Sequence, residues 1–380
     1  MKPPVTRTVI VGAGIVGAAL ADQLAARRGG DVVLIDRSDP GWGTSRTSFG
    51  WLNANKKQPR AYFDFSVEAM RDWSRLAREF GEPSWYQPVG NLIWARSPQA
   101  CEELAERVDR LRAWGYGAEI VTASRARGLE PNVTIPSDAE IAFFPDEGYV
   151  CGRQAAQALV QRAISRGAQL ITDAEVSELV VSQDRVTGVR LACGERLAAE
   201  TVVCCAGWRS PELLAPLGLD LALVSASTPG SGARGFTVTI DRIAPRPDRV
   251  IHAPELDLRP AGERRLLLEA GDIDDQVDMT RGDDHLDEWA QELLARARML
   301  VPAAASATIE EASPCVRPLP LDGYPLVGPI CDRRGLYMAV THSGITLAPT
   351  LARHVALELL GTESPILRPY RLDRTSPRLA

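Results

Sequence analysis

The chain has 380 residues, a formal net charge of −6, and 45% hydrophobic and 24% charged residues. That is enough chain for two domains with substantial cores, in the composition range of globular proteins. Acids and bases are interspersed with no basic tract, which argues against a nucleic-acid partner, and no apolar run approaches the roughly 20 residues of a membrane-spanning helix.

The first structured stretch reads as a strand over 7–11 (RTVIV), a glycine turn (GAGIVG), a helix over 15–28 and a second strand over 31–36 (DVVLID). This is a dinucleotide-binding βαβ unit. Gly12 allows the tight turn, Gly14 lets a pyrophosphate approach the backbone, and Gly17 lets the helix pack on the strand. The helix N-terminus offers N–H groups and a positive dipole end to phosphate. Asp36, at about the usual 20-residue distance, suits a ribose hydroxyl. The motif lies too near the N-terminus to leave room for a signal peptide, which predicts a cytoplasmic protein.

A Gly/Ser/Thr/Asn-rich loop follows (GWGTSRTSFGWLNANKK), carrying Trp42 and Trp51. Asn53 and Asn55 in it either form turns or reach a ligand. Helices are predicted over 61–80 and 98–114, a Pro-rich loop over 130–145, and an amphipathic helix over 153–166. Short strands come next over 169–172, 176–182 and 186–192, then a buried strand over 201–205. From about Leu221 to Ala312 the pattern is that of a separate sheet-bearing domain, with strands over 236–240 and 265–269 and one helix over 284–299. The chain then returns to α/β style, with a strand over 336–339, a Thr/Ser/Gly turn and a helix over 346–360. Ser343 or Thr346 is expected to cap that last helix. Its N-terminal dipole end suits a developing negative charge.

The seven cysteines (Cys101, Cys151, Cys193, Cys204, Cys205, Cys315 and Cys331) form no C-x-x-C pair, so neither a disulfide framework nor a zinc site is expected. The four histidines have no ligand spacing, and no metal is predicted. No G-x-S-x-G elbow supports a hydrolase.

The fingerprint alone leaves NAD and FAD open. The ordered series GAGIVG, VVLIDR, GTSRTSFG, DEGYV, AEVSELV, VVCCAGWRS, RPLPLDGYPLVGP and THSGITLAP resembles the D-amino-acid oxidase/glycine oxidase/sarcosine oxidase family of flavoproteins along most of the chain. The resemblance implies an α/β FAD-binding domain, Rossmann-like and of the glutathione-reductase type, made of residues 1–60, 146–220 and 325–380. It implies a second, α+β substrate domain on an antiparallel sheet, made of 61–145 and 221–324.

In such a protein Gly12, Gly14, Ile15, Val16, Gly17, Asp36 and Arg37 would hold the ADP half of FAD. Thr44, Ser45, Arg46, Thr47 and Ser48 would serve the pyrophosphate and ribityl chain, and the Val176 backbone would meet adenine. Ala206, Gly207 and Trp208 would come close to the cofactor. Ser343, Gly344, Ile345 and Thr346 would begin the helix aimed at the isoalloxazine, with His342 beside it. Arg317, in C-V-R-P, matches the arginine that clamps a substrate carboxylate, and its planar fork suits two oxygens. Asp257 stands where the family carries a tyrosine beside the substrate. Cys315 stands where sarcosine oxidases link the flavin covalently, while Arg317 replaces the tyrosine that goes with that link, so non-covalent FAD is expected.

The implied reaction removes hydride from the α-carbon of a neutral amine, and water hydrolyses the imine. Oxygen reoxidises the flavin with release of peroxide. Substrates of this type are small or N-substituted amino acids. A same-fold dehydrogenase with a quinone or protein acceptor, and a non-catalytic flavin-binding subunit, are the alternatives. A homo-oligomer is compatible with the sequence.

Overall fold

The computed structural model describes residues 7–28, 31–228, 230–278, 284–331 and 333–374. The opening unit forms as expected: strand Thr8–Val11, helix Ile15–Arg28 and strand Val32–Ile35. These strands sit inside a six-stranded sheet in the order Leu326–Pro329, Leu336–Val340, Thr201–Cys204, Thr8–Val11, Val32–Ile35, Gln169–Ile171. All pairs are parallel except the first.

The period-2 alternation of these strands splits their side chains between two cores. Ile10, Val32, Leu34 and Val203 face the layer formed by helices Ile15–Arg28, Gly152–Ser165 and Gly344–Leu359. Val9, Val11, Val33 and Ile35 face a three-stranded antiparallel sheet, Val176–Ser182, Arg185–Leu191 and Arg196–Ala198. With both faces covered, the strands read as unbroken apolar runs such as VVLI.

The second domain is built on an eight-stranded sheet. Its order is Ile309–Val316, Arg234–Ile240, Leu266–Glu269, Asp257–Pro260, Val250–His252, Asn91–Ala95, Glu140–Phe144, Glu119–Val121. It is antiparallel except where Val250–His252 meets Asn91–Ala95, the seam between the two chain segments. Helix Asp284–Leu300 packs on it. Helix Arg60–Glu79 bridges the two domains. Tyr62, Phe65, Ala69, Trp73 and Leu76 enter the cofactor-sheet core, while Phe63 and Met70 join a cluster with Ile93 and Phe144.

Two expectations need correction. The Pro-rich segment expected as a loop over 130–145 contains the strand Glu140–Phe144, paired on both edges. Its prolines, Pro131, Pro136 and Pro145, flank the strand without interrupting it, so no ladder hydrogen bond is lost. The last helix begins at Gly344, and neither expected side chain caps it. The Ser343 hydroxyl is taken by Lys57 and Tyr62, and Thr346 Oγ1 donates to Trp51 O at 3.1 Å.

Candidate active site

The carboxyl ends of the parallel strands open on a groove of about 370 Å³. Gly12 sits at φ +106°, where a Cβ would lie 2.5 Å from Cys205 O. A Cβ on Gly17 would meet Gly12 O at 1.9 Å, so Gly17 is what lets the helix close on the strand. A Cβ on Gly14 would meet only Ser45 Oγ, at 3.4 Å, and Gly14 lines the groove. An extended ligand can therefore approach the backbone there.

Asp36 Oδ2 accepts the Ala13 N–H at 2.6 Å, and Oδ1 accepts that of Ser38 at 2.9 Å. Burial raises its pKa, and these two bonds oppose the shift. Ser45 Oγ accepts the Ile15 N–H at 3.0 Å. Two of the helix-start N–H groups are thus already engaged, which leaves Gly14 and Val16 as the neighbouring groove-wall donors.

Of the residues expected around FAD, Ile15, Val16, Arg37, Thr44, Ser48, Val176, Ala206, Gly207, Trp208, Gly344 and Ile345 also line this groove. Gly17, Arg46, Thr47, Ser343 and Thr346 do not. Arg46 is paired with Glu311 and lies over the Trp42 ring. Thr44 Oγ1 donates to Val316 O at 2.7 Å, pinning the Ser/Thr loop to the second domain's sheet. Trp42, Ser177, Cys205, Pro318 and Thr341 also line the groove, although none of them was assigned to the cofactor from the sequence.

At the groove's far end, His342 lines the wall with an open face. The protein mass around it, then the Arg317 and Lys57 charges, push its pKa down to about 4, so the ring is neutral at pH 7. Lys57 Nζ and the Tyr62 hydroxyl each lie 2.9 Å from Ser343 Oγ. Burial, then the Lys56 charge, lowers the Lys57 pKa to about 8. Trp73 Nε1 donates to Ile345 O at 2.8 Å and fixes the first turn of the last helix.

Glu147, fully buried, organises the loop carrying these lysines. It accepts hydrogen bonds from Trp51 Nε1 (3.0 Å), Asn55 Nδ2 (2.9 Å), Asn91 Nδ2 (2.9 Å) and the Tyr116 hydroxyl (2.8 Å). Asn55 is therefore a structural donor, and Asn53 turns back on Trp51 O at 3.5 Å.

Arg317 leaves the end of strand Ile309–Val316, its N–H donating to Ala233 O at 2.7 Å. Its Nη2 contacts Glu269 Oε1 and lies 2.5 Å from Asp274 Oδ2. Asp274 Oδ1 accepts the Phe236 N–H at 2.7 Å. Neither acid was singled out in the sequence. Cys315 stands beside Thr47 and Gly235, outside the groove lining. Burial pushes its thiol up to about 11.

Asp257 lies across from His252 on one neighbouring strand and from Glu269 on the other. Burial pushes its pKa up to about 7 against the Lys56 charge. Lys56, Arg107, His252 and Asp257 border a second cavity of about 190 Å³. Among the described residues there is no cluster of three or more His, Cys, Asp or Glu that could hold a metal, and no helix long and apolar enough to cross a membrane.

The family model for FAD dependent oxidoreductases (DAO) matches residues 7–357. Glycine oxidase from Geobacillus kaustophilus is 27% identical over 385 residues, covering 96% of each chain. The crystal structure of glycine oxidase from that organism superposes with a TM-score of 0.82 at 26% identity, over 97% of this chain and 98% of that one. The 4-methylaminobutanoate oxidase (formaldehyde-forming) of Paenarthrobacter nicotinovorans is 29% identical over 224 residues, 59% of this chain and 27% of the longer relative. The chain belongs to the FAD dependent oxidoreductase family, and FAD is its cofactor.

Proposed function

We propose that this enzyme oxidises the CH–NH bond of a small or N-substituted amino acid, with the product imine hydrolysed by water and oxygen as the final acceptor. The observation that carries the reading is Arg317. It precedes the groove-lining Pro318, its charge reaches His342 on the groove wall, and one guanidinium nitrogen is held by Glu269 and Asp274. A guanidinium fixed at one corner presents the rest of its fork in a defined plane, which suits a substrate carboxylate. The similarity to glycine oxidase along nearly the whole chain supports the same reading.

FAD, when bound, supplies the two-electron acceptor. The chain's own residues do the rest. Gly14, Asp36 and Ser45 shape the ADP end of the groove, and the turn before Gly344 shapes the ring end. Neutral His342 contributes a polar contact without a charge. Lys57, at the N-terminus of the last helix, would add positive charge that favours the negative charge of a bound, reduced FAD. Arg317 orients the α-carbon hydrogen, and orientation supplies much of the rate. A thiol held protonated and away from the groove is a poor nucleophile, so Cys315 supports non-covalent FAD.

The test is anaerobic bleaching of the flavin by glycine, sarcosine, D-amino acids and bulkier N-alkyl glycines, followed by peroxide measurement in air. Bleaching by one of these with peroxide release is the expected result. Bleaching by none overturns the reading. Bleaching without peroxide assigns the electrons to another acceptor.

A further inference from the structure

Helix Pro98–Ala113 packs on the second domain's sheet, and its residues Ala100, Leu104 and Arg107 border the second cavity, of about 190 Å³. These positions follow the i, i+4, i+7 spacing of one helix face. Across from them the sheet supplies Ile93 and Ala95 from one strand, His252 from the next and Asp257 from the third. Lys56 enters from the loop that Glu147 anchors through Asn55. The volume is below the ~300–1,000 Å³ of pockets for drug-sized ligands, so an occupant must be small.

Among the described residues, neither Lys56 nor Arg107 makes a hydrogen bond or an ion pair; Lys56 lies only over the Trp51 ring, 5.4 Å from its centre. The Lys56 side chain is open to the cavity yet ringed by protein, and that surrounding mass lowers its pKa. The acids nearby do not answer these two charges. Glu103, one turn before Arg107, accepts from Gln99 Nε2 at 2.9 Å and is exposed, so water and salt screen it. Asp257 is pushed up to about 7 and carries only part of a charge near neutral pH. Glu147 is occupied by its four donors, and Glu269 by Arg317. Arg110, further along the helix, adds positive charge beside Arg107. His252 is 6% exposed and fixed between the Phe49 and Trp51 rings, and its buried Nδ1 has no hydrogen-bond partner. Two like charges without partners and a fixed, unsatisfied imidazole are groups that a bound anion would satisfy.

We propose that this cavity is a binding site for a carboxylate carried on a short apolar chain. Arg107 offers its planar fork from the helix, and Lys56 a point charge from the loop. The imidazole of His252 adds a fixed polar contact, and Asp257 donates to the anion whenever it holds its proton. Ile93, Ala95 and Leu104 receive the apolar chain. Two sources share this chemistry. One is the far end of an acidic amine undergoing oxidation, an option that rests on the amine-oxidation reading above. Lys57, the neighbour of Lys56, reaches Ser343 at the groove's ring end, so cavity and groove adjoin through one pair of residues. The other is a separate small carboxylate.

The test is a ligand-observed NMR titration of the FAD-loaded protein with butanoate and with butanamide at about pH 8, where Asp257 is mostly ionised. Butanoate is expected to bind, and butanamide far more weakly. Arg107→Gln and Lys56→Met should each raise the butanoate Kd by about tenfold, and Arg107→Lys by less. Asp257→Asn should lower it, a gain that a misfolded variant does not produce. Arg317→Leu should leave it unchanged, which separates the cavity from the carboxylate partner proposed at the groove. A Kd that is equal in wild type, Arg107→Gln and Lys56→Met, one that follows Arg317 instead, or no preference for butanoate over butanamide overturns the site. A second arm compares anaerobic flavin bleaching by glutamate and by glutamine, both enantiomers of each. A preference for glutamate that Arg107→Gln abolishes assigns the carboxylate to the substrate, and no preference assigns it to a separate molecule. The NMR arm needs no turnover, so failure of every amine to bleach overturns the functional reading and leaves the cavity site standing.

Discussion

Lys57 Nζ donates to Ser343 Oγ across 2.9 Å, joining the loop after Trp51 to the N-terminus of the last helix although 286 residues separate the two. A cation and a helix dipole end thus act at one place, and both favour negative charge on the reduced cofactor. Lys57→Met should leave the fold intact, since Tyr62 still holds Ser343. The two-electron flavin potential should fall by about 30 mV, equivalent to ~1.4 kcal/mol. With its pKa lowered to about 8, Lys57 loses its charge across pH 7–9. The difference in potential between wild type and variant should therefore shrink through that window. A redox titration at two pH values checks both statements, and an unchanged potential would remove Lys57 from the cofactor's surroundings.

Glu147→Gln should be costly. Four donors converge on the carboxylate, and a Gln amide turns one acceptor oxygen into a donor that faces other donors. A loss of about 2–4 kcal/mol in chemical denaturation is expected, together with weaker retention of FAD, because the loop bearing Lys56 and Lys57 loses its anchor. A variant with unaltered stability would show that the network contributes little.

Much of the cofactor half was legible in the sequence because its signals are local. The helix over 15–28 and the strand over 176–182 have the predicted bounds, each set by a periodic pattern between turn residues. The substrate half was harder to read. Strand Asn91–Ala95 carries a continuous apolar run between two predicted helices, and strand Glu140–Phe144 hides between prolines. Their identity as strands comes from pairing with Val250–His252 and with each other. Glu147 stood inside a recognised motif, DEGYV, but its four donors come from other segments. Glu269 and Asp274 belong to no motif at all. They meet Arg317 only because three separate elements end at one point of the sheet, and no spacing rule records that.

Gly235 gives Arg317 its room. An added Cβ would lie 2.9 Å from both Arg317 Nη2 and Cys315 Sγ, the far ends of two side chains. Gly235→Ala should therefore displace the guanidinium while leaving the strand pairing to Cys315 in place. The KM for a carboxylate-bearing substrate should rise by about tenfold, with the melting temperature changed little. A rise in kcat/KM, or no change, would place Arg317 away from the substrate.

Arg317→Leu removes the proposed carboxylate partner outright. KM for amino-acid substrates should rise by orders of magnitude, whereas an amine lacking a carboxylate should be affected far less. The same change leaves Glu269 and Asp274 without their cation, so stability must be read alongside the kinetics. Arg317→Lys separates the two effects: it keeps a positive charge for the acids and loses the planar fork. An unchanged KM in both variants would dispose of the clamp.

Asp257 offers a test in pH. Its carboxyl is pushed from the ordinary 3.8 to about 7, chiefly by burial, with Lys56 opposing. Between those values the folded protein holds a proton that the unfolded chain has released. The native state binds more protons in this window, so its stability falls as pH rises through it. Asp257→Asn removes the penalty. The variant should match wild type near pH 4 and exceed it at pH 8. The side chain keeps 35% of its surface open, which screens the effect to about 1 kcal/mol. Denaturation curves at the two pH values decide the matter. A variant that gains nothing at high pH would mean that Asp257 ionises freely beside Lys56.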